Sequence, residues 1–244
     1  MSGTHQRTAI VTGAGKRVGA EIARALLADG WRVVAHVHHG DDAVPEGAVR
    51  VVADLADPGC GEAIIAAAGA APEPELLVNN AARFASDGFG SFSPGEFASH
   101  MAVNVRAPAL LIEAFANSAP RGSLVVNLLD AKLAAPNPDF LSYTLSKQAL
   151  AGLTELAARA LAERGIRVNG IAPALMLPSG VQGQANFAAV HALNPLAIGV
   201  EPADVVRALR YLIEARAVTG EVMAIDGGQR FLQLSRDVQF LETK

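Results

Sequence analysis

Cysteine is nearly absent: the 244 residues hold only Cys60, which excludes an internal disulfide and suits a reducing compartment. Aromatic residues are scarce too, at 5%, and Ala, Val and Leu take their place, as in helices packed on a parallel sheet. The net charge is -4 with Lys and Arg scattered, so the basic stripe of a nucleic-acid binder is missing. Apolar runs break well short of the roughly 18 to 20 residues a membrane span needs. The opening stretch MSGTHQRTAIVTG lacks the apolar segment of a secretory signal. These absences leave the expectation of a cytoplasmic protein with neither nucleic acid nor membrane as a partner. Hydrophobic residues make up 51%, so a large core is available. No linker, repeat or low-complexity segment interrupts the chain, and residues 1–244 read as one domain.

What is present alternates between strand and helix. Residues 7–12, 31–39, 48–55, 75–81, 122–129, 166–173 and 220–226 read as strands. Helices are expected over 19–29, 61–69, 94–118, 141–164 and 202–215. Between them, residues 174–200 mix Pro, Gly and small apolar groups, a pattern that suits a mobile flap better than a core element. Short connections between alternating elements predict an α/β fold with a doubly wound parallel sheet.

The first strand runs into TGAGKRVG, which opens a helix. Gly13, Gly15 and Gly19 would let the backbone approach a pyrophosphate, and the helix N-terminus would supply free N–H groups. A site for NAD places an acid after the second strand to bind the ribose 2′-OH. Here that place holds HVHHG, with no acid before Asp41. His36, His38 and His39, with Lys16 and Arg17 in the turn, would accommodate a 2′-phosphate, which favours NADP. The three imidazoles have no carboxylate at ligand spacing, so no metal is expected.

Tyr143 and Lys147 lie four apart at the start of the 141–164 helix and project from one face. An ammonium there can lower the phenol pKa and reach ribose hydroxyls. Asp130, thirteen residues before the tyrosine, brings a negative charge towards the same place.

In this order the motifs resemble the short-chain dehydrogenase/reductase family over essentially the whole chain. TGAGKRVG is similar to its glycine turn, NNAA (79–82) to its N-N-A-G, SYTLSK to its Y-x-x-x-K, and IAP and IDGG to its later strand ends. The resemblance implies a three-layer Rossmann-type fold, and a homotetramer formed through the 94–118 and 141–164 helices. It implies Tyr143 as proton donor, Lys147 as ribose ligand and pKa-lowering group, and Asn104 as holder of a relay water. It places the cofactor along Gly13, Lys16, Arg17, Val18, Gly19, His36, His38, His39, Asp54, Leu55, Asn80, Ala81, Ala82, Leu128, Tyr143, Lys147, Pro173 and Met176.

Departures from the family pattern narrow the substrate. Asp130 stands where the family has a Ser, Arg17 occupies the glycine turn, and Phe84 follows Asn80 by four residues. This set resembles the pteridine reductase and dihydromonapterin reductase branch, which implies a substrate site of Arg17, Phe84, Asp130 and Tyr143. Arg83 is outside that pattern. The expected reaction is NADPH-dependent reduction of a dihydropteridine, whether biopterin-, folate- or monapterin-like. Hydride would go to a ring C=N, and Tyr143 and Asp130 would deliver the proton. A carbonyl reductase acting on a 3-oxoacyl thioester, and a cofactor-binding sensor without turnover, stay open as alternatives. The tail QRFLQLSRDVQFLETK is expected to dock on a neighbouring subunit or to border the active site.

Overall fold

The computed structural model describes residues 7–69, 73–178 and 182–241. Residues 1–6, searched above for a leader, part of the 174–200 segment and the last three residues of the tail lie outside these.

Seven parallel strands form one sheet in the order β3-β2-β1-β4-β5-β6-β7. They are β1 (Thr8–Val11), β2 (Arg32–Val37), β3 (Val49–Val52), β4 (Pro74–Asn79), β5 (Leu124–Leu128), β6 (Arg167–Pro173) and β7 (Val222–Ile225). The central strands are Val/Ile/Leu runs buried on both faces, whereas the edge strands β3 and β7 keep partly exposed positions, as a sheet sandwiched by helices requires.

Helices α1 (Arg17–Ala28) and α7 (Pro202–Glu214) cover one face, packing Ile22, Leu26, Val205, Leu209 and Leu212 against it. Helices α2 (Cys60–Ala67), α4 (Ala107–Ser118) and α5 (Leu141–Leu161) cover the other, with Ile64, Leu111, Phe115 and Ala157 in the core. No helix among the described residues is long and apolar enough to cross a membrane. Strand order reverses between β1 and β4, which opens a crevice beyond their carboxyl ends, where open α/β sheets bind ligands.

Two expectations need correction. The single helix expected over 94–118 is three pieces: α3 (Pro94–Met101), a π-helical turn (Ala102–Arg106) and α4. Within the turn Ala107 N–H reaches back to Ala102 O, one residue beyond the α-helical partner. Pro108 has no N–H to offer the Asn104 carbonyl, so the break follows from a residue that a pattern of apolar positions does not register. The 174–200 segment is not irregular throughout, since α6 (Gln184–Val190) lies inside it and buries Val190.

Helices α2 and α4 touch at Gly61, where a Cβ would fall 2.6 Å from Leu110 O. Gly61→Ala should therefore destabilise the fold by about 1–3 kcal/mol. Urea unfolding measures this, and an unchanged midpoint would contradict the close helix contact.

Candidate active site

The crevice at the β1/β4 switch holds a cavity of about 830 Å³. Every residue named above for the cofactor borders it, and so do Phe84 and Asp130. At its floor the glycine turn is locked by neighbouring strands. Asn80 Nδ2 donates to the carbonyls of Thr12 and Gly13 at 2.8 and 3.2 Å, and Thr12 Oγ1 accepts from the Asn80 and Ala81 N–H groups at 3.0 Å. Gly13 has φ +64, and a Cβ on Gly19 would lie 2.1 Å from Gly13 O. Only glycine permits this packing, which leaves the α1 N-terminus open to an anion.

The histidines divide into two kinds. His36 is buried; its Nδ1 accepts from Gly13 N–H at 3.2 Å and its Nε2 reaches Ala53 O at 3.0 Å. These partners require the neutral Nε2–H form, and burial lowers its pKa. His36 is thus a strut beneath the turn rather than a phosphate ligand, because both ring nitrogens are already used. His38 and His39 stand exposed at the end of β2 with ring centroids 4.1 Å apart, and His38 Nε2 is 3.8 Å from Asp54 Oδ1. Exposed Lys16 shares this rim. Sequence reading missed Asp42, whose carboxylate turns back to cap His39 N–H at 3.0 Å.

Arg17 opens α1 at the cavity rim. It holds φ +53, uncommon outside glycine, and its guanidinium donates to Pro178 O at 2.8 Å and towards Leu177 O at 3.5 Å. It fastens the glycine turn to the 174–178 segment with two of its N–H groups and still borders the cavity.

At the opposite wall, β5 ends and Asp130 follows in extended conformation. Its Oδ1 accepts from Lys132 N–H and its Oδ2 from Tyr143 O–H, both at 2.9 Å. Lys147 lies one turn after Tyr143 on α5, buried, and donates to Leu128 O at 2.6 Å. Burial pushes Asp130 above the usual carboxylate range, against the opposing pull of the Lys132 and Tyr143 bonds. Burial also pushes Tyr143 well above an ordinary phenol, and the Asp130 charge adds to this. The net direction is opposite to the lowering expected from Lys147. The carboxylate touches the phenol, whereas the Lys147 ammonium sits 5.6 Å from its ring on a backbone carbonyl. Burial lowers Lys147 itself to about 8.

Asn104 does not border the cavity. Its Nδ2 donates to Arg83 O at 3.0 Å and Ser146 Oγ at 2.9 Å, and its Oδ1 accepts from Arg83 N–H at 2.7 Å. The side chain clamps the loop after β4 to α5, so it cannot also serve the reacting groups. The Arg83 guanidinium turns away to Glu96 at 2.8 Å.

Phe84 is 39% exposed. It meets Tyr143 edge-on at 4.7 Å and stacks on Phe140 at 4.5 Å, and Phe140 in turn stacks on Phe240 at 5.5 Å. The tail therefore borders the site, with Leu234, Arg236, Asp237, Val238 and Gln239 lining the cavity. None of these five, nor Phe140 or Lys132, carries a motif; only the apolar residues of the tail hinted at docking.

Because Lys147 is lowered from 10.5 to about 8 by burial, the unfolded chain binds its proton more tightly than the folded one. Relative to a Lys147→Met chain, stability should rise as the pH climbs from about 8 to about 10.5, by about 3 kcal/mol at most. Urea unfolding of both chains across this window checks it; parallel curves would refute the burial argument.

Comparison with known proteins agrees with this geometry. A family model described as enoyl-(acyl carrier protein) reductase matches residues 13–230. Pteridine reductase 1 of Leishmania tarentolae is 32% identical, over 90% of this chain and 95% of its own. 3beta-hydroxysteroid dehydrogenase 1 of Eggerthella lenta is 30% identical, over 91% and 93%. The crystal structure of FolM alternative dihydrofolate reductase 1 from Brucella canis, complexed with NADP, superposes with a TM-score of 0.86 at 34% identity, covering 93% of this chain and 95% of that one. A seven-stranded parallel sheet, a glycine turn at its switch point and a tyrosine–lysine helix thus meet relatives of the same construction along nearly their full length: the chain belongs to the short-chain dehydrogenase/reductase family.

Proposed function

We propose that the chain is an NADPH-dependent reductase of a dihydropteridine. The observation that carries this reading is the 2.9 Å hydrogen bond from Tyr143 to Asp130 inside the cavity. Ketone-reducing members of the family, by the resemblance above, present a hydroxyl at position 130. The pteridine reductase and alternative dihydrofolate reductase among the relatives support the substrate class, although the steroid dehydrogenase matches almost as well.

NADPH suits the residues present. The glycine cradle excludes a Cβ at Gly19, the α1 N-terminus would offer its amides to a pyrophosphate, and Lys16, His38 and His39, which line the same cavity, would receive a 2′-phosphate. Lys147 is within the wall that would meet ribose hydroxyls. Bound there, the cofactor supplies a hydride. The chain supplies the proton and the seat. Asp130 can accept N–H bonds from a flat aminopyrimidine ring, and Phe84 offers it an aromatic contact worth about 1 kcal/mol beyond burial. Tyr143 O–H gives its proton to the ring nitrogen left basic when hydride adds to the neighbouring carbon. The protonated form of Asp130, favoured by its raised pKa, restores it to the phenolate.

A carbonyl reductase is the second reading, and Asp130 weighs against it because a lone carbonyl oxygen brings no N–H donor for its carboxyl group to accept. A sensor without turnover would have no use for both Tyr143 and Lys147. Assembly as a homotetramer through α4 and α5 belongs to the same proposal, since Leu145 and Leu156 lie exposed on α5.

NADPH oxidation should be faster with dihydrobiopterin than with an acetoacetyl thioester, and turnover of the thioester alone would sink the pterin assignment. Tyr143→Phe should lower kcat roughly a hundredfold or more with NADPH affinity little changed, and Asp130→Asn should act in the same direction; wild-type kcat in either would disprove the proton-delivery role. Light scattering in solution should give four copies per particle, and a monomer would refute the assembly.

A further inference from the structure

The tail residues that line the cavity, Asp237 among them, have no part in the scheme above. Beyond β7 the chain folds back over the 130–140 loop as a strap. Asp237 starts a short turn there, its Oδ1 accepting from Gln239 N–H at 3.2 Å. Its Oδ2 meets Lys132 Nζ at 3.2 Å, and the two side chains are only 13% and 12% exposed. Lys132 Nζ also donates to Asp139 O at 2.7 Å. With two acceptors in a nearly closed setting, the lysine cannot swing. Its own backbone N–H is the group that holds Asp130 Oδ1 at 2.9 Å.

A second line runs through rings. Phe240 lies on Phe140, Phe140 on Phe84, and the edge of Phe84 on Tyr143. Asp139 ties the two lines together, accepting from Asp237 N–H and from Arg236 Nε at 2.8 Å each. The strap thus reaches both members of the Asp130–Tyr143 pair, one through an ion pair and the other through stacked aromatics. An ion pair this shielded costs desolvation to form and leaves an uncompensated charge when one partner is removed. Anchoring for packing alone would be met by an apolar contact of the kind Phe240 already makes.

We propose that Asp237 is a positioning residue for the proton-delivering pair: it fixes Lys132, Lys132 fixes the Asp130 carboxylate, and Asp130 sets the direction in which Tyr143 presents its hydrogen. This rests on the reading of Asp130 and Tyr143 as the groups that deliver the proton. The charged groups facing Asp237 are Lys132 on the loop after β5, Asp139 on the loop before α5, and Arg236 next to it on the strap; those facing Asp130 are Lys132 and Lys147. Removing the Asp237 charge takes a negative group away from Tyr143 as well, so the phenol should lose its proton at lower pH.

Asp237→Asn keeps the shape and the turn cap but not the charge, and Asp237→Glu keeps the charge. In the full-length enzyme Asp237→Asn should lower kcat roughly tenfold, leave the KM for NADPH within about twofold, and move the alkaline limb of the kcat profile to lower pH. Asp237→Glu should recover most of both effects. Amide hydrogen exchange at Lys132 should quicken roughly tenfold in Asp237→Asn while β5 amides stay protected. A strap that only packs would cost stability and leave the pH profile in place. Wild-type kcat, pH profile and Lys132 protection in Asp237→Asn would overturn the proposal. If the wild-type enzyme reduces a carbonyl and no dihydropterin, the substrate assignment fails and the strap is judged on that carbonyl. If it reduces neither, unchanged Lys132 exchange alone overturns the anchoring.

Discussion

Tyr143 and Asp130 share one hydrogen bond at 2.9 Å, and the elements around it are arranged to keep the carboxylate there. A carboxylate taken out of water is costly unless donors replace its hydration. Here the Lys132 N–H and the Tyr143 O–H each take one oxygen, and the charges of Lys147 and Lys132 lie nearby. Burial still wins in direction, and both acids hold their protons more firmly than in water. In the proposed reaction this retention suits a pair that passes a proton on.

The opposite wall is built on neutrality. His36 could bring a charge beneath the glycine turn, yet burial lowers its pKa and the Gly13 N–H donated to its Nδ1 requires the neutral ring. Thr12 and Asn80 complete the lock between β1 and β4. Below the site, Asn79 donates to Asn127, and Asn127 to Thr154, which joins β4, β5 and α5 through buried amides and a hydroxyl. These bonds span 27 to 48 residues of sequence, so the geometry of the cavity depends on long-range pairing within the parallel sheet.

The proposed catalytic side chains are few, while the residues that contact and brace them are many and scattered. Asn104 and Arg17 carry motif positions, and their side chains bond mostly to main-chain partners. Asp237 and Lys132 carry no motif and lie where they touch the dyad's supports. A relative that kept every motif residue could still differ in reactivity through changes in its tail.

By itself the sequence determined the alternation of buried strands and amphipathic helices, the glycine turn, and the tyrosine and lysine on one helical face. All of these rest on periodicity or on backbone rules that act over a few residues. The π-helical turn at 102–106 was within its reach in Pro108 but was masked by an unbroken apolar pattern. Only the tertiary structure decided which partner each polar group takes: Asp130 with Tyr143, His36 with Gly13, Arg17 with Pro178, and the strap with Lys132. The physical reason is that hydrogen bonding, burial and pKa depend on distance through space, and a chain folded on a parallel sheet brings together residues that its linear order keeps far apart.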